Sequence, residues 1–276
     1  MKVFNEKITS RNNPMVKWAS SLLTKKGRNQ ERSFVAEGAK LTFDAIDANA
    51  PITHIFLSEE AKDKYLDDLK IKGNKSIYEK TEIILLSDSA FEKISTEKSP
   101  QGIISVIKYL DFFREIDIIY KEEFFLKENE RAIILSSLRD PNNLGAVIRS
   151  ATAFGVDNII LTADSADVYN PKTVRSAMGS LFRVKTTVVS DMCSFVKALI
   201  ESGRRVFSAE LKEGAKSVKD INLSKNDVII IGNEGHGIDE ALSAVSSGSV
   251  YIPISKRTES LNASVAAAVF MWEQNR

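Results

Sequence analysis

A single cysteine, Cys193, and only two histidines, His54 and His236, stand among 276 residues. The first fact excludes an internal disulfide. The second leaves few ligands for a zinc site, so metal-free chemistry is expected. Long apolar runs are missing too: no stretch approaches the roughly 18 residues of a membrane-spanning helix. The opening "MKVFNEKITSRNNPMVKW" has neither the apolar centre nor the small-residue cleavage site of a secretory leader. A soluble, cytoplasmic protein with no membrane partner is the expectation. Internal repeats and low-complexity tracts are also absent.

What is present is a chain long enough for two domains, with 43% hydrophobic residues to fill their cores. The net charge of +1 conceals an uneven distribution. Residues 1–40 carry nine Lys/Arg against three Asp/Glu, whereas residues 41–130 carry 12 against 19. A basic front end with Lys17, Lys25, Lys26, Arg28 and Arg32 suits contact with a polyanion through phosphate charge; the alternative is a solvated helix face.

From Phe34 to Lys108, short β-rich runs ("SFVAEG", "ITHIFLS", "EIILLS", "GIISVIKY") alternate with helical patterns, which predicts a small α/β domain over residues 1–108. Residues 109–129, dense in aromatics and charge, read as a partly helical connecting segment. A second alternating series occupies residues 130–276. Its near-continuous apolar strands ("RAIILSS", "VDNIIL", "FRVKTTVV", "RRVFSAE", "DVIIIG", "VYIPI") predict a mostly parallel sheet covered on both faces. Such a sheet carries its ligand at the C-terminal ends of its strands.

Three stretches follow those ends. In "LRDPNNLGAVIRSATAFG", residues 138–155, a turn and cap cluster opens a helix bearing Asn143 and Arg149, which read either as a cap and a surface side chain or as functional groups. In "VIIIGNEGHGID", closely spaced glycines let the backbone approach a ligand. Their order is not that of a dinucleotide fingerprint or a phosphate loop, which argues against a nucleotide-dependent oxidoreductase. His236 reads as an exposed loop residue, since no nucleophile or carboxylate partner accompanies it. In "TESLNASVAAAVF", Ser260 or Asn262 can cap the last helix, but capping accounts for only one of Glu259, Ser260 and Asn262. The alanines of that helix permit close packing against core or a second subunit.

Taken in order, N-x-G-x-x-x-R from Asn143 to Arg149, G-N-E-G-x-G-I from Gly232, and I-P-I followed by E-S-L-N-x-S-V-A-A-A resemble the motifs of the SpoU/TrmH family of RNA ribose methyltransferases. The N-terminal half resembles, more loosely, that family's accessory RNA-binding domain. The resemblance implies a SPOUT-type domain with a C-terminal trefoil knot that binds S-adenosylmethionine, dimerises, and methylates a ribose 2′-hydroxyl, with ribosomal RNA the expected substrate and transfer RNA the alternative. By position, the cofactor pocket would be lined by Gly232, Asn233, Gly237, Ile252, Ile254 and Leu261, with Ala209 and Glu210 nearby. Asn143, Arg149, Glu234, Ser260 and Asn262 would surround the reacting groups. The family's proposed base is the arginine, here Arg149, but a guanidinium is a poor proton acceptor, so phosphate grip and alkoxide stabilisation suit it better. Lys172 and Arg175 would hold RNA backbone. A catalytically inactive RNA-binding or ribosome-assembly protein is the competing reading.

Overall fold

The computed structural model describes residues 1–111, 113–116, 126–127, 129–233 and 235–276. They form two compact units: Met1–Asp111 with Asp167–Arg183, and Phe112–Ala166 with Val184–Arg276.

The first unit contains strands β1 (Lys2–Ile8), β2 (Ser33–Glu37), β3 (Ile52–Leu57), β4 (Glu82–Leu86) and β5 (Ile103–Lys108), in the order β1-β4-β3-β5-β2. β3 is parallel to β4 and antiparallel to β5. Around the sheet lie α1 (Pro14–Ser21), α2 (Lys25–Glu31), α3 (Ala39–Asp47), α4 (Glu59–Lys72) and α5 (Asp88–Glu92). Four of these start at a side-chain cap, from Asn13, Thr24, Ser58 and Ser87 respectively for α1, α2, α4 and α5, each accepting a backbone N–H of the first turn. Val16, Leu22, Val35, Phe56, Ile84, Phe91 and Val106 share one core.

Arg28, expected at an RNA surface, is instead 1% exposed. Its Nε and Nη2 donate to Asp167 Oδ2 at 3.1 and 2.5 Å, and Nη1 donates to the Leu22 carbonyl at 2.9 Å. A buried guanidinium persists only when its charge and donors are matched, and here they are used inside the fold. Arg28→Leu strands the Asp167 carboxylate and is expected to cost about 3 kcal/mol, read as a lowered urea midpoint at unchanged slope.

The second unit carries an eight-stranded sheet in which every described pairing is parallel. Its strands are β6 (Phe113–Ile116), β7 (Ala132–Leu135), β8 (Asn158–Thr162), β9 (Lys185–Val189), β10 (Val206–Ala209), β11 (Lys216–Ser217), β12 (Val228–Ile231) and β13 (Gly248–Tyr251), in the order β11-β13-β10-β12-β7-β8-β9-β6. Helices α6 (Pro141–Ala153), α8 (Met192–Glu201), α9 (Glu240–Ala244) and α10 (Ala263–Asn275) belong to this unit, and α7 (Pro171–Ser176) to the first. Ile134, Ile160, Phe195, Leu199, Val206 and Ile230 pack together as its core. The doubly covered parallel sheet foreseen from the apolar runs is the observed architecture. One local expectation changes. Phe113–Ile116, placed in a partly helical connector, is extended and pairs with β9; residues 117–125 and 128 lie outside the described residues.

Candidate functional site

The neighbouring strands β7, β12, β10 and β13 run parallel, so their C-terminal ends open on one edge of the sheet. After β7 the chain turns through Ser137, a non-glycine residue at φ +55°. That uncommon conformation aims its N–H at Thr162 Oγ1 (2.8 Å) and its carbonyl at the Asn233 amide, which donates at 2.8 Å. Asp140 then caps α6 by accepting from the Asn142 N–H at 2.7 Å, with Pro141 in the first turn. Because Asp140 is the cap, Asn143 is released from that duty. Leu144, Val147, Ile148 and Ala151 bury one face of α6, and Arg149 lies on the exposed face.

Gly232 follows β12, and the chain then pairs back on itself between Asn233 and Gly237. Asn233 N–H donates to the Gly237 carbonyl and Gly237 N–H to the Asn233 carbonyl, both at 2.9 Å. Gly237 takes φ +68°, and a side chain built on Gly232 would meet the Gly237 carbonyl at 2.5 Å. Two glycines are therefore structural requirements here. Asn233 Oδ1 accepts from Gly235 N–H at 2.8 Å, so both ends of this amide staple the loop to its own backbone and to the turn after β7. Glu234 lies outside the described residues. His236 is exposed.

After β13 the chain runs through Ile252, Ile254 and Ser260 to α10, whose cap is Asn262: its Oδ1 accepts from Ser264 N–H and Oγ at 2.9 and 2.6 Å. Its Nδ2 donates to Asn143 Oδ1 at 3.1 Å, joining the first and third motifs across 119 positions of sequence.

The second and third segments, together with the end of β10, line a cavity of about 280 Å³, and no residue of the 138–155 segment is in its wall. Ala209, Glu210, Gly232, Asn233, Gly237, Ile252, Ile254, Ser260 and Leu261 all line it. Asn143, Asn262 and Arg149 are not in its wall. Sequence reasoning missed Leu211, Val250, Ala266 and Phe270, which also line the cavity. It also missed the setting of Glu210: Oε1 accepts from Ser208 (2.7 Å), Ser249 (3.1 Å), Lys212 (2.8 Å) and Ser243. Burial alone would raise this carboxyl, but the bonds from Lys212 and the three serines outweigh it and hold the group down at about 2. Serines scattered over three elements leave no local signal of such a cluster.

The basic residues divide. Lys17, Lys25, Lys26 and Arg32 are exposed on the first unit, Arg32 lying 4.4 Å over the Tyr109 ring. Lys172 is exposed on α7, and Arg175 there is ion-paired with Glu97. Among the described residues no cluster of His, Cys, Asp and Glu could hold a metal ion, and no helix is long and apolar enough to cross a membrane.

The profile of the SpoU rRNA Methylase family matches residues 130–272, and that of an MRM3-like substrate binding domain matches residues 13–105. The chain is similar to the Bacillus subtilis (strain 168) 23S rRNA (guanosine(2553)-2'-O)-methyltransferase RlmP, at 31% identity over 97% of this chain and 98% of that protein. It is 26% identical to a Streptomyces viridochromogenes 23S rRNA (uridine(2479)-2'-O)-methyltransferase over 98% of this chain and 92% of the other. Its fold matches that of an AdoMet-bound rRNA methyltransferase from Sinorhizobium meliloti, with a TM-score of 0.82 and 27% identity over 99% and 97% of the two chains.

Proposed function

The chain belongs to the SpoU rRNA methylase family, and from that premise we propose that it transfers a methyl group from S-adenosylmethionine to a ribose 2′-hydroxyl of ribosomal RNA. The observation that carries this reading is the convergence of three distant segments, near residues 209, 232 and 260, on one cavity beside the Asn143–Asn262 pair. Ribosomal RNA is favoured over transfer RNA because the full-length relatives at 31% and 26% identity bear ribosomal names.

The cavity fits the donor. At about 280 Å³ it lies just below the roughly 300–1,000 Å³ of small-molecule sites, and it is largely apolar with one anchored carboxylate in its wall. When bound, S-adenosylmethionine supplies a methyl group already activated by its sulfonium, so the chain has to orient, exclude water and manage one proton. The stapled 233–237 loop and the capped start of α10 hold the walls rigid. Arg149, on the exposed face of α6, grips the phosphate next to the target ribose and stabilises the developing 2′-alkoxide. A guanidinium carries only donors, so it donates there and does not accept the proton. Asn143, fixed by Asn262, orients the same substrate side.

On the first unit, Lys17, Lys25, Lys26 and Arg32 would contact RNA phosphates. Lys25 and Lys26 sit in the first turn of α2, where the helix dipole disfavours cations; a phosphate partner removes that penalty. Lys172 and Arg175 would add to the grip. A second copy of the chain is the proposed partner of α10, which leaves Val265 and Trp272 48% and 54% exposed on one helical stripe. The trefoil path after β13 and a cytoplasmic setting belong to the same proposal.

The test is incubation of the purified protein with labelled S-adenosylmethionine and ribosomal RNA from cells lacking it, followed by digestion to nucleosides. Label is expected in one 2′-O-methylated nucleoside. Label in a base, or donor binding without transfer to any RNA, would refute the reading.

A further inference from the structure

The anchored carboxylate at the cavity wall has more hydrogen-bonding capacity than its neighbours use. Glu210 follows the last residue of β10 and lines the cavity. All four of its described donors, the hydroxyls of Ser208, Ser243 and Ser249 and the Lys212 ammonium, reach Oε1 and not Oε2. The three serines come from β10, α9 and β13 and are buried to within 8% exposure. Burying three hydroxyls around one oxygen orients the carboxylate rigidly and leaves its other oxygen as an acceptor for a visitor. Neither an apolar core nor a surface ion pair requires that arrangement.

The chemistry of the visitor follows from the surroundings. An anion is repelled. A second cation gains little, because Lys212 at 2.8 Å already offsets the charge. Neutral hydroxyl donors gain most, and the adjoining walls of Leu211, Val250 and Phe270 suit a flat apolar body attached to them. We propose that Glu210 Oε2 accepts from the ribose hydroxyls of the methyl donor, with Ser208, Ser243 and Ser249 as positioning residues, so that the site selects nucleosides bearing an intact 2′,3′-diol. The proposal rests on the methyl-donor reading and assigns which part of that ligand Glu210 holds.

Calorimetry with three probes separates the possibilities: S-adenosylhomocysteine, its 2′,3′-dideoxy counterpart, and 5′-methylthioadenosine, which keeps the diol but lacks the amino-acid part. The wild type is expected to prefer S-adenosylhomocysteine over the dideoxy probe by about tenfold or more, as for a hydrogen bond to a charged group. In Glu210→Ala that preference should collapse towards one, and methylthioadenosine should weaken by the same factor as S-adenosylhomocysteine. Glu210→Gln, which keeps the volume and one acceptor for the serines, should lose most of the preference and guards against a folding failure of the alanine variant. Equal weakening of all three probes would reveal a structural role and overturn the proposal. So would loss confined to S-adenosylhomocysteine, which would place the amino group at Glu210. Wild-type protein that binds none of the probes would overturn the methyl-donor reading itself.

Discussion

Arg149→Ala is expected to lower methyl transfer by about 10²–10³-fold while leaving the affinity for S-adenosylhomocysteine unchanged. The factor is that of removing one preorganised donor from a developing oxyanion. Two features make the separation of effects sharp. Arg149 is exposed on α6 and is not among the residues that line the cavity, so the alanine leaves the cofactor walls intact. It also contributes nothing to the apolar face of α6, so the fold should melt as before. Arg149→Lys keeps a charge for the phosphate but loses the planar fork, and should recover only part of the rate. Single-turnover transfer and calorimetry on the same preparations check both halves. Equal losses of transfer and cofactor affinity would relocate Arg149 to the donor site.

Gly232→Ala should damage both halves at once. Its added carbon would stand 2.5 Å from the carbonyl carbon and oxygen of Gly237 and 2.8 Å from Ile238 Cγ1. The first two are backbone atoms, held in place by the paired bonds between Asn233 and Gly237, so the loop cannot yield by turning a side chain aside. Overpacking of this kind costs about 1–3 kcal/mol, or about 2–5 °C in melting temperature for a chain of this size. Displacement of the loop by about 1 Å should reduce turnover by about 10²-fold. Gly214 offers the contrast: its alanine variant meets a left-handed φ of +78° with nothing within 4 Å, whereas that of Gly232 meets the clash. Wild-type melting and affinity in the Gly232→Ala protein would show that the 233–237 loop is not the rigid wall described.

How much of this was legible depended on distance along the chain. The strands β7, β8 and β12 announce themselves because they are buried on both faces and leave no room for polar residues. β1, "KVFNEKI", and β6, "FREI", are edge strands that mix charge with apolar residues, and their β character is set by a neighbour that the local pattern does not contain. The capping of α10 by Asn262 was one of two local options, and the geometry selected it over Ser260. Arg28 reads as one more lysine-like cation until Asp167, 139 residues away, is brought beside it. The serine cradle of Glu210 was invisible for the same reason: its members come from three elements that meet only when the sheet is ordered β13-β10-β12.

The passage of Asp167–Arg183 into the first unit has a consequence for any attempt to divide the chain. Its backbone crosses from one unit to the other three times, so no single cut yields two self-sufficient fragments. A C-terminal piece beginning after residue 111 would carry Asp167 without Arg28 and Tyr169 without its stacking partners Phe34 and Tyr109. The severed N-terminal piece would hold an unmatched guanidinium in its interior. Moving the first unit into another protein would therefore require that residues 167–183 travel with it.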